Sequence, residues 1–524
     1  MQPVVLIVAP DDDLGHMSIE HELIRSMPNM GIMYLAAALE ARGFPVITRD
    51  YSLSILSTSQ IVCEITAMNP ILVGFTMVVG NVQTTGALGS LLRPTYSGPI
   101  VVGGYIATFH SEDVLNQMPA VNWVVVREGE ETIVALMEHL VEARALDSVP
   151  NLVYRDNGTI RMTMPAALPD VTKLPWPRRD WNAAFLATPI LARRGCYGRC
   201  SFCSIVSFYD PSLGPLVRRR EVIDVVNEIE DCIQHGRNDL GFYDDCFGMS
   251  ARADQEWCMQ FIRELARRQL HFSWNIELRV TDVIRGANML REMCDLGLAH
   301  IVIGMETMLP RQLILYNKGY LQKDVFQAIE IAKTLPLDFQ TQVIFWDPWT
   351  TLDEAAEHLA LLDQIGVQKQ LVVGANSHFF GTRIAPRRGT ALHNKVKDAG
   401  LLVQNRNKFW ISDFTFQHPK TAAFCNGPVT NIIARLRRIP QPSALWLRVI
   451  RLEREEQHSQ AQALRKYGLA ISSTAFDYFK AMLSSLREIE DPVEAQRSEQ
   501  EIHDLFAPKL NAISKNLPLA ERHV

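Results

Sequence analysis

Short apolar runs alternate with helix-length segments along the first 145 residues. The runs lie at 4–9, 45–50, 71–76, 99–104 and 121–126. Strands that alternate with helices of ordinary length predict a parallel, doubly wound sheet of Rossmann-like type, covered by helices on both faces. Ligands of such sheets bind beyond the carboxyl ends of the strands. We therefore expect a binding site at the loops 10–16, 76–81, 103–110 and 127–132.

The pattern changes at about residue 150. Residues 151–163 predict a β-hairpin, because Asp156-Asn157-Gly158 tolerate the positive φ angles of a tight turn. The connector that follows is expected to be extended, because proline disfavours helix in the residue before it. Its prolines are Pro165, Pro169, Pro175 and Pro177. We predict a first domain over 1–148 and a hairpin with a proline-rich linker over 149–187.

Strand and helix patterns alternate again from 188 to about 400. Six strand–helix units, the last with its strand at 370–380, predict a partial (β/α)6 barrel of the TIM type, with functional residues at the carboxyl ends of its strands. Residues 401–524 lack this alternation, and their amphipathic stripes predict a mostly helical C-terminal domain. The predicted fold class is thus α/β for the first two domains and helical for the last.

The composition is typical of a soluble protein with several domains. A chain of 524 residues is too long for one ordinary core, and 47% hydrophobic with 21% charged residues is an ordinary globular balance. A net charge of −6 with interspersed signs gives no electrostatic footprint for nucleic acid. No apolar stretch reaches the roughly 18 residues of a membrane span. We therefore expect a cytoplasmic protein without a disulfide framework.

Three cysteines carry the clearest chemical signal. Cys196, Cys200 and Cys203 have C-x3-C-x2-C spacing, which can ligate three irons of a four-iron cluster and leave the fourth iron open. The alternative is a structural zinc site, which usually needs a fourth protein ligand. The nearest downstream histidine is His235, well beyond the loop. The spacing therefore favours a cluster with an open iron.

This loop, with Gly195 before its first cysteine and Phe202 before its last, resembles the cluster loop of the radical S-adenosylmethionine (SAM) superfamily. Residues 28–46, 101–110 and 124–132 resemble segments of the cobalamin-binding domain that precedes this loop in one branch of the superfamily. The resemblance implies a 4Fe-4S cluster, SAM and cobalamin as cofactors. One departure is that the D-x-H-x-x-G motif is absent from 11–16. Cobalt would then lack a lower histidine ligand, and a domain that has lost cobalamin remains an alternative.

The resemblance also implies contacts for SAM at the strand ends of the barrel. The candidates are Phe202, Asp244, Asp245, Arg279 and Glu306. The two adjacent acids would accept hydrogen bonds from the SAM ammonium group, or one of them would cap the next helix. Arg279 would pair with the SAM carboxylate, or with Glu277 on the same strand face. Glu306 would accept hydrogen bonds from the ribose hydroxyls, or bond to a buried neighbour.

Candidate contacts for cobalamin follow from the strand-end loops of the first domain. They are Thr76, Gly103, Gly104, Glu128 and Gly129. Glycine at such positions lets backbone approach a ligand closely, although it also serves ordinary helix packing. The sequence identifies no further catalytic residue.

The function implied by the resemblance is methyl transfer from SAM, via methylcobalamin, to an unactivated carbon of a small molecule or natural-product intermediate. The alternative within the family is cyclisation, ring rearrangement or oxidation without methyl transfer. A reading from a different class is a non-catalytic iron–sulfur or zinc protein. The enzymatic readings require an external one-electron reductant of the flavodoxin or ferredoxin type and exclude a nucleic-acid partner.

Overall fold

Seven strands form the N-terminal sheet of the computed structural model, which describes residues 1–12, 28–52, 54, 56–180, 187–367, 380–405, 407–439 and 445–516. The strands are β1 (Val4–Val8), β2 (Val46–Asp50), β3 (Leu72–Thr76), β4 (Ile100–Gly103), β5 (Trp123–Val125), β6 (Leu152–Asp156) and β7 (Thr159–Met162). Their order in the sheet is β2-β1-β3-β4-β5-β6-β7, and β1 to β5 run parallel. The predicted parallel, Rossmann-like sheet is therefore confirmed.

Helices cover both faces of this sheet. They are α1 (Met30–Glu40), α2 (Thr58–Ala67), α3 (Val82–Leu92), α4 (Tyr105–Phe109), α5 (Ser111–Gln117) and α6 (Glu130–Glu142). Alternate residues of β1 enter two separate apolar clusters: Val5 and Ile7 pack on one face, and Val4 and Leu6 on the other. Both faces are dry, as a parallel sheet between helix layers requires.

The hairpin predicted at 151–163 is present as β6 and β7, and it extends the N-terminal sheet. Strand β6 pairs antiparallel with β5, with Leu152 opposite Val125. We expected this hairpin to stand with the linker, beyond a first domain that ended at 148. The structure differs because Leu152 and Val153 are buried in the apolar clusters of the N-terminal sheet. A local turn signal predicts a hairpin but not the sheet edge that it joins.

A second sheet contains five parallel strands in the order β14-β13-β12-β11-β8, beside a two-stranded ribbon of β9 and β10. The strands are β8 (Thr188–Ile190), β9 (Arg193–Arg194), β10 (Arg218–Arg219), β11 (Asp239–Phe242), β12 (Ser273–Arg279), β13 (Leu298–Glu306) and β14 (Asp338–Val343). The strand predicted at 370–380 lies outside the described residues, except for Phe380.

Helices follow the strands of the second sheet, and most of them pack on its outer face. They are α7 (Ile205–Tyr209), α8 (Val222–Gln234), α9 (Arg252–Arg268), α10 (Val280–Arg285), α11 (Ala287–Asp295), α12 (Pro310–Leu315), α13 (Gln322–Lys333) and α14 (Leu352–Ile365). The short α7 instead lies beside the cavity between the sheets. The largest apolar cluster lies between this sheet and its helices, and includes Trp274, Ile276 and Leu278 of β12. The alternation of strands and helices confirms the predicted partial barrel, whose strand ends face the N-terminal sheet through a shared cavity.

The C-terminal segment is mostly helical, as predicted, but it also contains a small antiparallel hairpin. Its elements are α15 (Ala391–Asp398), β15 (Leu402–Gln404), β16 (Ser412–Phe414), α16 (Pro419–Phe424), a π-helical turn (Cys425–Val429), α17 (Thr430–Leu436), α18 (Leu445–Arg454), α19 (His458–Leu486) and α20 (Pro492–Lys515). Phe479 of α19 stacks on Phe380 and so joins the helices to the barrel core. Trp410, between the two hairpin strands, is buried in a cluster of the N-terminal sheet. No helix in the described part of the chain has the length and apolarity that a bilayer crossing needs.

Candidate cofactor site between the two sheets

The cysteine loop starts at a position that requires glycine. Gly195 has φ +88°, and a Cβ there would lie 1.7 Å from the carbonyl oxygen of Leu216. The loop then turns on itself, because the Gly198 N–H donates to Cys196 Sγ at 3.3 Å and the Cys203 N–H donates to the Cys200 carbonyl at 3.1 Å.

All three thiols are half-buried within one loop. Burial raises the pKa of Cys203 to about 11, and the charges of Cys200 and Cys196 raise it further, so the three sulfurs lie within electrostatic reach of one another. Three soft donors on one short loop are the ligand set that a four-iron cluster needs. The residues therefore fit the predicted cluster, and the assignment of the three cysteines to iron remains a prediction.

Neighbouring elements hold the far side of the loop. Ser201 donates its N–H to the Tyr316 carbonyl at 2.9 Å and its hydroxyl to the Leu315 carbonyl at 2.6 Å. The Asn317 amide donates to the carbonyl of Arg199 at 2.7 Å, and the Leu392 N–H donates to the carbonyl of Ser201 at 2.8 Å. Hydrogen bonds to two separate segments, at 315–317 and at Leu392, therefore hold the loop in place.

Arg279, at the end of β12, reaches the loop directly. Its Nη1 donates to Cys200 Sγ at 3.1 Å and its Nη2 donates to the carbonyl of Lys318. Burial alone would lower the pKa of Arg279, but the neighbouring Cys200 sulfur raises it above the ordinary value. The alternative ion pair between Arg279 and Glu277 is not formed among the described residues. Contact with the SAM carboxylate remains a prediction for this guanidinium group.

The two adjacent acids after β11 hold the entrance of the same loop. Asp244 Oδ1 accepts from the N–H groups of Ala192 and Arg193 at 2.8 and 3.0 Å. Asp245 Oδ2 accepts from the Gly195 N–H at 2.7 Å and from the Tyr209 hydroxyl at 3.0 Å. Neither caps the next helix, which begins after Ala251.

The two acids differ in exposure. Burial raises the pKa of Asp244 to about 7; its Oδ1 accepts both backbone hydrogen bonds, while its buried Oδ2 has no hydrogen-bond partner among the described residues. Asp245 is half-buried and borders the cavity described below. Of the two, Asp245 is the one whose side chain is placed to meet a ligand.

Glu306 ends β13 in an unusual conformation. Its φ is +63°, and the pairing of β13 with β14 is irregular between Ile303 and Glu306. A left-handed non-glycine residue at a strand end is a strained position of the kind that clusters at functional sites. Its Oε1 lies 3.3 Å from Lys318 Nζ.

Lys318 was not identified from the sequence. It is buried, donates to the Gly304 carbonyl at 3.0 Å, and lies 5.8 Å from the centre of the Phe202 ring. It thus links two of the predicted SAM contacts, Phe202 and Glu306. The sequence Asn317-Lys318-Gly319 could have pointed to this lysine, because asparagine and glycine favour the positive φ angles of a tight turn. Asn317 has φ +52° and Gly319 has φ +75°, and the turn between them fixes the direction of the Lys318 side chain.

A cavity of about 310 Å³ lies between the two sheets. All five predicted cobalamin contacts line it: Thr76, Gly103, Gly104, Glu128 and Gly129. The barrel contributes Tyr243 and Asp245 from the end of β11, and the segment after the cysteine loop contributes Tyr209. The cavity therefore connects the strand ends of both sheets.

Glycine shapes the wall of this cavity. Gly104 has φ +98°, and a Cβ there would meet the Met77 carbonyl and the Thr76 hydroxyl, both at 3.1 Å. A Cβ on Gly129 would meet Leu35 at 3.2 Å. Backbone can therefore approach a ligand on this side, which fits the predicted cobalamin.

Glu128 also forms buried ion pairs that the sequence did not predict. Its two oxygens pair with Arg194 at 2.6 Å and Arg218 at 2.8 Å, while the other end of Arg194 pairs with Glu130 at 2.6 Å. These side chains are almost wholly buried. Arg194 directly precedes the cysteine loop, so this buried network (Arg194, Arg218, Glu128 and Glu130) clamps the loop to the N-terminal sheet.

Comparison with known families agrees with this arrangement. A family model described as "B12 binding domain" matches residues 24–137, and one described as "Radical SAM superfamily" matches residues 190–362. The chain thus joins a B12-binding domain to a radical SAM domain, the two domains of the cobalamin-binding branch of the radical SAM superfamily. These are the domains of an enzyme that works with a 4Fe-4S cluster, SAM and cobalamin. The two matched ranges correspond to the two sheets that face the shared cavity.

One curated relative of this chain carries the name of a cyclase. It is 27% identical over 347 residues to an anaerobic magnesium-protoporphyrin IX monomethyl ester cyclase of Rubrivivax gelatinosus, with 62% of this chain and 60% of that protein covered. The chain thus spans about three fifths of the length of that curated relative.

Two solved structures share the fold. The cobalamin-dependent radical enzyme OxsB, with aqua-cobalamin and SAM bound, superposes with a TM-score of 0.74 at 16% identity, covering 98% of this chain and 78% of OxsB. The radical SAM methyltransferase TsrM of Kitasatospora setae superposes with a TM-score of 0.61 at 18% identity, covering 77% of this chain and 78% of TsrM. These likenesses concern the fold alone.

Proposed function

We propose that this radical SAM enzyme is a C-methyltransferase that moves a methyl group from SAM, by way of cobalamin, to an unactivated carbon of a small molecule. One observation carries the proposal. The glycine-rich strand ends of the N-terminal sheet and the barrel residues Tyr243 and Asp245 line the same cavity. The predicted corrinoid and SAM sites therefore share a wall, which direct passage of a methyl group between two cofactors requires.

The residues divide the binding task between them. Cys196, Cys200 and Cys203 would hold the cluster. Phe202, Asp245, Arg279 and Glu306 would contact SAM, whereas Asp244 would hold the backbone of Ala192 and Arg193. When bound together, the three cofactors supply a methyl group and a one-electron route to carbon, chemistry that protein side chains lack.

The chain's own contribution is charge balance and exclusion of water. The guanidinium of Arg279 beside Cys200 offsets the negative charge of the thiolates. Phe202 packs edge-on against Tyr316 at 5.6 Å between ring centres, which closes the site on the barrel side. The buried network of Arg194 keeps the loop and the cobalamin domain in fixed register.

The reductant would approach from the outer side of the cysteine loop. Arg199 is exposed there, Ile314 of α12 is 81% exposed, and Lys395 is exposed on the helix that begins beside the loop. Two cations beside an exposed apolar side chain suit an acidic one-electron carrier of the flavodoxin or ferredoxin type. This surface stands out because the chain as a whole carries a net charge of −6.

Cyclisation without methyl transfer is the second candidate. The name of the Rubrivivax gelatinosus relative favours it. The two candidates differ in their products, because methyl transfer converts one SAM to S-adenosylhomocysteine for every methyl group moved, whereas cyclisation alone does not.

The test begins with metal content. Protein purified and reconstituted without oxygen should contain about four irons and one cobalt per chain, as the proposed cofactors require. The Cys196→Ala, Cys200→Ala, Cys203→Ala triple variant should lose the iron and keep the cobalt. Cys63→Ala, at an exposed cysteine far from the loop in sequence, is the matched control and should keep both. Zinc in place of iron would refute the cluster assignment.

Product analysis then separates the two activities. Under a low-potential reductant, the methyltransferase should form S-adenosylhomocysteine together with 5'-deoxyadenosine, measured by mass spectrometry with deuterated-methyl SAM. Formation of 5'-deoxyadenosine with no S-adenosylhomocysteine, across a substrate panel, would overturn methyl transfer and leave the cyclase candidate.

A further inference from the structure

The inner face of the second sheet is polar along β12. Its side chains alternate, so that Trp274, Ile276 and Leu278 enter the apolar core and Asn275, Glu277 and Arg279 point to the opposite face. Arg279 lies opposite Gly304 in the register with β13. The same face continues onto β14, because Val302 lies opposite Gln340. Polar residues therefore line the inside of the partial barrel, below the cysteine loop.

Glu277 is the side chain on this face that lacks a partner. Among the described residues it forms neither a hydrogen bond nor an ion pair, although its side chain is exposed to open space inside the barrel. The two neighbouring carboxylates are already engaged, Asp245 by the Gly195 N–H and Tyr209, and Glu306 by Lys318. Glu277 is thus the carboxylate of the three that remains available.

The electrostatic surroundings agree with an interior position. Burial, together with the charges of Glu306 and Asp245, raises the pKa of Glu277 to about 7. An exposed surface glutamate would have no such neighbours. The accessible space at Glu277 is therefore a recess within the protein, and bulk solvent lies elsewhere.

A second unpartnered acceptor lies on the same face. Gln340 is 93% buried, and its side-chain oxygen has no hydrogen-bond partner in the part of the chain that the structure describes. Gln342, two residues further along the strand, comes within 3.9 Å of the position that a Cβ on Gly304 would take. Glu306 Oε1 lies 3.2 Å from the same position, so the missing side chain of Gly304 makes room for these two oxygens. The recess therefore offers acceptors and room between β12, β13 and β14.

Glu277 lies apart from the predicted SAM contacts. It is two residues before Arg279, which places it about 6.6 Å deeper along the strand. A residue at this depth lies below the cysteine loop, where Arg279 makes its contact with Cys200.

We propose that Glu277 anchors the substrate, and that the substrate presents an N–H or O–H donor, as an amine or a hydroxyl group, to this carboxylate. A substrate carboxylate at this position would meet Asp245, Glu277 and Glu306 together and be repelled. A purely apolar group would leave Glu277 and the Gln340 oxygen desolvated without partners. The recess thus selects a polar, non-anionic molecule. The substrate class rests on the proposed enzymatic function, and the anchoring contact does not depend on methylation as the outcome.

The test uses the full-length, reconstituted enzyme and four probes of one shape: cyclohexylamine, cyclohexanol, cyclohexanecarboxylate and methylcyclohexane. Difference infrared spectroscopy follows the carboxyl band that disappears in Glu277→Gln. In the wild type we expect the amine or the alcohol, but neither of the other two probes, to shift this band in a saturable manner. The amine and the alcohol distinguish the two donor chemistries.

The variant series separates anchoring from a structural role. Glu277→Gln keeps the volume and removes the charge, and we expect it to bind the effective probe about ten- to hundredfold more weakly, as loss of a charged acceptor predicts. SAM binding, measured by equilibrium dialysis, should stay within about twofold. Glu277→Asp should recover part of the probe affinity, and Glu357→Gln, at an exposed position on α14, should behave as the wild type.

Two results would overturn the proposal. A band that responds equally to the carboxylate or the hydrocarbon would show that no donor is selected. A tenfold loss of SAM affinity in Glu277→Gln would assign this residue to SAM. If S-adenosylhomocysteine never forms while the band shift is observed, methyl transfer fails and the anchoring contact stands, so the two failures are distinguishable.

Discussion

The two parallel sheets of this enzyme use their faces differently. In the N-terminal sheet every residue of β1 is buried, with Val5 and Ile7 in one apolar cluster and Val4 and Leu6 in another. In the barrel sheet only the outer face is apolar, whereas the inner face of β12 carries Glu277 and other polar groups. The first sheet can therefore bind ligands only at its strand ends. The second can also bind them along the length of its strands.

The difference has an energetic reason. A sheet between two helix layers gains stability from apolar burial on both faces, about 25 cal/mol for each Å² removed from water. A polar inner face gives up half of that gain and is tolerated where ligands or bound water satisfy the polar groups. The barrel sheet therefore gains less stability from apolar burial and has a polar face that can bind ligands. The following substitutions measure the free energy of unfolding and the ligand affinity on the two sheets.

The largest effect is expected where the two sheets are joined. Arg194→Ala leaves Glu128 and Glu130 buried without their cation, and breaking a buried pair costs about 3–5 kcal/mol. Calorimetry of the full chain should show a marked fall of the unfolding temperature. Arg252→Ala, which removes an exposed pair with Glu256, is the control and should cost about 0–1 kcal/mol. Equal effects of both substitutions would contradict the clamp.

Substitutions at neighbouring strand residues should then distinguish β1, which is apolar on both faces, from β12, which is apolar on one face and polar on the other. In β1, Leu6→Ala and Ile7→Ala should each lower the free energy of unfolding by about 2–5 kcal/mol, because both side chains are buried. In β12, Ile276→Ala should do the same, whereas Glu277→Gln at the next position should raise the free energy of unfolding at neutral pH, because burial raises the pKa of Glu277 and so disfavours its charged form in the folded protein. Chemical denaturation of the four variants checks this. A large loss in Glu277→Gln would mean that the inner face is structural.

A smaller effect is expected at the glycine wall of the first sheet. Gly104→Ala places a side chain at φ +98°, with a backbone cost of about 1–2 kcal/mol, and narrows the cavity. Cobalamin affinity, measured by spectral titration, should fall. Gly43→Ala has a similar φ of +79° with nothing within 4 Å, so it should carry the backbone cost alone. Loss of cobalamin in both variants would attribute the effect to general destabilisation.

The smallest effect concerns pH on the dry outer face of the barrel sheet. Burial lowers the pKa of His358 to about 3, below its ordinary value of 6.5. Between about pH 6.5 and pH 3, His358 is therefore protonated in the unfolded chain but neutral in the folded protein. The free energy of unfolding falls as the pH drops through this range. The loss is about 1.4 kcal/mol per pH unit below 6.5. His300 and His110 have lowered pKa values as well, so His358→Gln should reduce but not abolish the fall of the unfolding temperature between pH 7.5 and 5.5. An unchanged slope would refute the assignment.

Local patterns were sufficient to predict much of the architecture. Apolar runs located β1, β3 and β4, and the cysteine spacing located the loop, because these signals lie within a few residues of each other. The five glycine, acid and hydroxyl positions predicted for cobalamin do line one cavity. The contacts that they make there remain untested.

Long-range contacts were beyond the reach of such patterns. Glu277 was read as a partner of Arg279, because two residues on one strand face are close, but Arg279 instead meets Cys200, 79 positions earlier in the chain. Asp244 binds the backbone of Ala192 rather than the helix that follows it. Burial of Trp410 in a cluster of the first sheet depends on a fold that brings distant segments together. These contacts join residues that are far apart in the sequence, so a pattern within a few residues cannot predict them.

The bonds that hold the cysteine loop to Tyr316, Leu315 and Asn317 affect how the enzyme is matured and repaired. In small zinc domains the metal has to order the chain that binds it, so losing the metal unfolds the domain. Here the bonds from Ser201 and Asn317 involve no cysteine sulfur, so we expect them to order this part of the loop whether or not a cluster is bound. We therefore expect that a cluster destroyed by oxygen can be rebuilt in place without unfolding of the chain.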